Sequence, residues 1–119
     1  MKYAILIYAD ESGFAGTPQE AMEASMAEWW GYEGELKKAG SKLAGEALQP
    51  TATGKSVRVT DGKASVNDGP FAETKEQLGG FYLIEAKDED EAIEWAVKCP
   101  GAKIGTIEVR PVQEFEPPQ

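Results

Sequence analysis

Among 119 residues the chain has no histidine and one cysteine, Cys99. Without imidazole it lacks the one side chain whose ordinary pKa lies near neutrality. That excludes a Ser-His or Cys-His dyad, and any histidine-ligated metal site, within a single chain. A lone cysteine excludes an internal disulfide and four-cysteine zinc sites, and suits a reducing compartment. Basic residues are scarce beside acids, 12 against 21, for a net charge of −9. A surface of that sign repels phosphate backbones and anionic headgroups, which argues against nucleic-acid or membrane-surface binding. The N-terminal apolar run, Tyr3 to Ala9, is seven residues long. It is too short to span a bilayer and lacks the small-residue cleavage pattern of a signal peptide. The expectation is a cytoplasmic protein.

What is present is a globular balance: 41% hydrophobic and 28% charged residues, with 13 Gly and 7 Pro dispersed along the chain, so wholesale disorder and collagen are excluded. The length suits one domain, placed at residues 1–115, with 116–119 (Glu-Pro-Pro-Gln) read as a flexible tail.

Residues 2–9 read as a central strand covered on at least one face. After a Gly- and Ser-containing loop, Thr17-Pro18-Gln19-Glu20 predicts a helix with Thr17 as N-cap and Pro18 at its first position. Met22, Met26, Trp29 and Leu36 recur at helical spacing. Gly31 and Gly34 inside this helix either admit another backbone or kink it, and Gly40 ends it. Residues 42–49 read as a strand interrupted by Gly45. Ser56–Thr60 and Lys63–Asn67, joined by Asp61-Gly62, predict a type I′ hairpin, because both linking residues take positive φ. Residues 68–80 predict a turn and then one or two helical turns ended by Gly79-Gly80. A strand follows at 81–86. Asp88 caps a second helix, with Glu91 at the capping-box position, and Pro100-Gly101 stops it. A last strand holds Ile107, Val109 and Val112. Six of the ten residues 85–94 are acidic and one is basic; acids in a first helical turn oppose the helix dipole, so capping and solvation explain this cluster without a binding role.

Without the hairpin the order is β-α-β-β-α-β, an α+β chain of the ferredoxin-like class carrying an inserted β-hairpin. Such a sheet has helices on one face only. A second copy, sheet against sheet, is the expected cover for the other face, giving a homodimer and a dimeric α/β barrel.

Asp68-Gly69-Pro70-Phe71-Ala72-Glu73-Thr74-Lys75-Glu76-Gln77-Leu78-Gly79-Gly80 resembles the DGPF-domain proteins of the YCII-related family. The likeness extends to Gly45-Glu46-Ala47-Leu48-Gln49-Pro50, to Val57-Arg58-Val59 with Asp61-Gly62, and to Ile107-Glu108-Val109-Arg110-Pro111-Val112. The resemblance implies a bacterial cytoplasmic dimer of ferredoxin-like subunits, of undefined biochemical role. It also implies a setting beside extracytoplasmic-function sigma factors. YCII-like relatives carry a His on the first long helix and an Asp near the end of the second, proposed as an acid–base pair in a cleft. Here the corresponding places fall at about Glu28, with Trp29 or Trp30 after a gap, and at Cys99-Pro100, so that pair is absent.

The candidate site residues follow from side-chain chemistry. Asp68, beside a Gly-Pro turn, is the candidate general base, provided that partial burial raises its pKa. The competing reading has it accept local backbone N–H groups and build the turn. Glu73 is a second catalytic candidate; with Lys75 it orients a polar substrate or forms a solvated ion pair. Arg58 and Arg110 alternate with apolar neighbours on strands and either fork onto a substrate oxyanion or pair with Glu46 or Glu108. Tyr8 and Phe71 join them as substrate-binding candidates, and Tyr8 and Tyr82 either line one cleft or pack. Cys99 has no activating base and reads as inert. No loop shows Mg²⁺ or Ca²⁺ ligand spacing, and neither a metal nor a cofactor is expected. The functional expectation is a cleft for a small organic molecule, with carboxylate-based acid–base chemistry at Asp68. The alternative is a non-catalytic regulatory or ligand-binding partner linked to a sigma factor.

Overall fold

The computed structural model describes residues 1–118. The chain runs β1 (Lys2–Ala9), α1 (Gln19–Lys38), β2 (Lys42–Ala47), β3 (Lys55–Thr60), β4 (Lys63–Asp68), β5 (Gln77–Glu85), α2 (Glu89–Lys98) and β6 (Thr106–Pro111), with short 3₁₀ turns at Glu11–Phe14, Thr51–Thr53 and Pro100–Lys103. Four strands form an antiparallel sheet in the order β2-β5-β1-β6, and β3 with β4 make a separate two-stranded ribbon. The fold is thus α+β, with two helices and antiparallel sheets.

Strand alternation sorts the sheet into two faces. Tyr3, Ile5 and Ile84 point under the helices and are buried with Leu36, Ala92, Ala96 and Cys99; Ile7, Tyr82, Ile107 and Val109 pack around them. The opposite face carries Ala4, Leu6, Phe81 and Leu83, all part-exposed, with no helix or strand of the described residues over them.

Several local expectations hold for the stated reasons. Asp61 and Gly62 take φ of 51° and 77°, so the ribbon turns as a type I′ hairpin. Asp88 caps α2, its carboxylate accepting the Glu91 N–H at 2.9 Å. Gly40, at φ +71°, ends α1: its N–H donates to the Lys37 carbonyl, and the Ser41 N–H reaches back to Leu36 at 2.9 Å.

Others are corrected. Thr17 does not cap α1. Its hydroxyl donates to the Phe14 carbonyl at 2.8 Å, tying it to the preceding 3₁₀ turn, and the helix starts after Pro18. Gly31 and Gly34 admit no neighbouring backbone; a Cβ at either would meet nothing within 4 Å. The second strand stops at Ala47 rather than 49. The helical turns expected within 70–80 do not form: the chain bends there, and β5 starts at Gln77. An isolated helix of one or two turns does not repay its nucleation. As strand, Leu78 pairs with Tyr8 and Gly80 with Ile7 and Ala47. Of the expected tail, 116–118 lack regular structure and Gln119 lies outside the described residues.

The β3–β4 ribbon stands away from the rest. Every residue of it but Ser56 is exposed. The radius of gyration is 16.7 Å, against about 13.5 Å for a compact chain of this length. Two stability outcomes follow. Leu36→Ala, at a position with no solvent exposure, lowers the unfolding free energy by about 2–5 kcal/mol. Val59→Ala on the ribbon changes it by no more than about 0.5 kcal/mol. Urea unfolding measures both, and a comparable loss at Val59 would refute the separateness of the ribbon.

Candidate functional site

Tyr32, on the inner face of α1, meets three rings edge-on: Trp29 at 6.4 Å, Tyr82 at 5.6 Å and Trp95 at 6.1 Å. Its hydroxyl donates to the Trp95 carbonyl at 2.8 Å, across from α1 to α2. Beside this clamp, between α1 and the end of α2, lies a shallow cleft of about 580 Å³. Glu28, Tyr32 and Glu35 line it from α1, and Lys98, Cys99 and Lys103 from the other wall. At its mouth Lys103 Nζ meets Glu28 Oε2 at 2.6 Å, with both side chains at least half exposed. An ion pair so hydrated contributes about 0–1 kcal/mol, so a ligand displaces it at little cost.

Two groups in the cleft are dry. Burial pushes the Tyr32 and Cys99 pKa values up, away from neutrality. Tyr82, behind them, is pushed up to about 12, again chiefly by burial. Both cleft groups stay protonated at neutral pH, as hydrogen-bonding walls and not as bases. Cys99 is a free, buried thiol.

The residues singled out from sequence fall elsewhere, in three separate places. Asp68 ends β4, its side chain 87% exposed, with Oδ1 at 2.5 Å from Lys55 Nζ. The partial burial on which its candidacy depended is absent there. The turn itself is firm: Gly69 donates to the Gly54 carbonyl at 2.8 Å and accepts the Ser56 hydroxyl at 2.7 Å. Phe71, Glu73 and Lys75 follow on the exposed bend. Arg58 projects from the ribbon on the side opposite Val57 and Val59. Arg110 lies on the open sheet face, where it pairs with Glu108 at 2.5 Å, the partner considered for it, and Tyr8 donates to the same carboxylate at 3.3 Å. The Arg110 hydrogen bond is the main reason that the Glu108 pKa is lowered. Tyr8 and Tyr82 do not share a cleft; they lie on opposite faces of the sheet.

The YCII-related domain family matches residues 1–116. The chain belongs to that family. An uncharacterized protein of Rhizobium meliloti (strain 1021) is 39% identical, covering 98% of this chain and 96% of its own. Among solved structures, the 5-chloro-2-hydroxyhydroquinone dehydrochlorinase of Burkholderia phenoliruptrix AC1100, in complex with 2,5-dihydroxybenzoquinone, matches with a TM-score of 0.57 and 15% identity, covering 97% of this chain and 96% of that one. At that identity the likeness concerns the fold. Glu28 and Cys99 line the two sides of the cleft together.

Sequence reasoning missed Tyr32, Lys98 and Lys103. Tyr32 lies four residues before Leu36 on the inward stripe of α1, a periodicity that carried its signal. Lys103 had none, since its approach to Glu28 spans 75 residues.

The raised pKa values fix a pH dependence. Above the ordinary values of 9.0 for Cys99 and 10.0 for the tyrosines, the unfolded chain releases protons that the native chain retains. The contribution of these groups to stability is therefore constant up to about pH 9 and is lost as pH rises toward 12. Urea midpoints across this range should show the fall, with Tyr82→Phe making it shallower; a slope unchanged in that variant would refute the assignment.

Proposed function

We propose that this chain binds a small organic molecule in the cleft between α1 and the end of α2, with the Glu28 carboxylate and the Lys103 ammonium as its polar contacts. The observation that carries this reading is the convergence of Glu28 and Cys99 on one cleft. The volume is that of a small-ligand site. An apolar, aromatic-backed wall with one acceptor and one donor at the mouth suits a planar molecule bearing hydroxyl or carboxylate groups. The fold likeness to a protein crystallised with a dihydroxyquinone is in keeping with this.

Binding is the first reading and acid–base catalysis is not needed for it, because the chain has no histidine to serve as a proton acceptor in this cleft. Acid–base chemistry at Asp68, with Glu73 and Lys75 nearby on the same bend, is the second reading, supported by the firm turn at Gly69. The strand order β2-β5-β1-β6 and the apolar open face support the ferredoxin-like assignment and pairing of two copies sheet to sheet. The sigma-factor partner rests on the resemblance to DGPF-domain proteins. Among the described residues no helix is long and apolar enough to cross a membrane.

A thermal-shift screen of small hydroxylated aromatics and carboxylic acids tests the reading. A ligand at a hundred times its Kd stabilises the native chain by about 2.7 kcal/mol. Glu28→Ala with Lys103→Ala, both at exposed positions, should abolish the shift, while Asp68→Asn leaves it intact. A shift lost in Asp68→Asn and kept in the cleft variant would transfer the site to the bend.

A further inference from the structure

Besides the open sheet face, two apolar surfaces have nothing packed on them among the described residues. One face of the β3–β4 ribbon presents Val57, Val59, Ala64 and Val66: Val57 lies opposite Val66 and Val59 opposite Ala64, and the three valines are each more than half exposed. The other surface is the first half of α1. The stripe that buries Leu36, Tyr32 and part of Trp29 continues toward the N-terminus through Met26 and Met22, with the small Ser25 beside them. Yet residues 19–28 are exposed throughout, and both methionines are more than half exposed. About 15 Å of helix thus runs out beyond the core with its core-facing side bare.

The two surfaces match in charge as well as in apolarity. From Gln19 to Glu35, α1 carries Glu20, Glu23, Glu28, Glu33 and Glu35 and no base. Residues 55–68 carry Lys55, Arg58 and Lys63 against Asp61 and Asp68, a net +1 in a chain whose total is −9. Within one chain the ribbon stands away from the helix: Gly69–Gly54, Ser56–Gly69 and Lys55–Asp68 tie its two legs to each other and not to α1.

We infer that the ribbon is an exchange arm, and that its valine face packs on the overhanging Met22–Met26 side of α1 in a second copy of this chain. The arm of about 20 Å is long enough to follow the overhang, and methionine side chains adapt readily to a foreign valine surface. Reciprocal exchange about a two-fold axis closes the assembly at two copies. This goes beyond the sheet-to-sheet pairing proposed above and does not depend on the cleft or its ligand.

Light scattering and sedimentation velocity at micromolar concentration give the first test. The native chain should have twice its monomer mass. Val57→Glu with Val59→Glu, on an arm exposed to water, should keep the circular dichroism of the folded chain while weakening self-association by about tenfold or more. Partner choice is tested by mixing Val59→Cys protein with Met26→Cys protein under mild oxidation, Cys99 being buried in both. A disulfide-linked species should form in the mixture and in neither protein alone. A monomeric native chain, an arm variant that associates as tightly as the native chain, or cross-linking of Val59→Cys to a Leu83→Cys protein on the open sheet face would each overturn the inference.

Discussion

Tyr32 is the residue through which both helices and the sheet meet. Its ring touches Trp29 on its own helix, Tyr82 on β5 and Trp95 on α2, and its hydroxyl closes on the Trp95 carbonyl. Aromatic pairs of this kind contribute about 0.5–1.5 kcal/mol each beyond their buried area, and the buried hydroxyl must find an acceptor. The separation of α1 from α2 is set here, and the cleft beside the clamp owes its width to it. Cys99, packed against the same ring, shares the dry surroundings that keep both groups protonated.

The clamp draws the helices to one side of the sheet and leaves three surfaces uncovered: the open sheet face, the overhanging start of α1 and the valine side of the ribbon. Uncovered apolar surface of this kind is where the pairing of copies proposed above would act. The −9 charge acts in the same picture. Acids gather along α1 and at the start of α2, where they oppose a helix dipole or face water, while the ribbon carries a small positive excess. The charge that argues against nucleic acid is thus also a contrast between the two ends of one molecule.

Much of the fold was legible wherever local backbone chemistry decides it. The Asp61-Gly62 turn, the Asp88 cap and the Gly40 stop each depend on conformations that few residues adopt, so the residues announce them. The stretch from Pro70 to Gly80 misled for the opposite reason: Glu73 to Leu78 has helical composition, but pairing with β1 and β2 offers more hydrogen bonds than two isolated turns. Thr17 misled similarly, because its hydroxyl had a nearer acceptor at Phe14. Asp68 was conspicuous as a motif residue. Conspicuousness says nothing about burial, and the structure leaves it in water beside Lys55.

The sequence by itself determined the absences and the alternations: no imidazole, no disulfide, a run of strands and helices in a fixed order, and which strand residues share a face. Periods of two and 3.6 residues and the φ demands of Gly and Asp are local properties, readable without knowing where the chain goes. Tertiary structure alone decided that Glu28, Tyr32, Cys99 and Lys103 surround one cleft, that Arg58 and Arg110 stand apart, and that the ribbon projects. Those facts depend on contacts between residues as much as 75 positions apart, as for Glu28 and Lys103. No local period encodes them; they follow from how the helices settle on one face of the sheet.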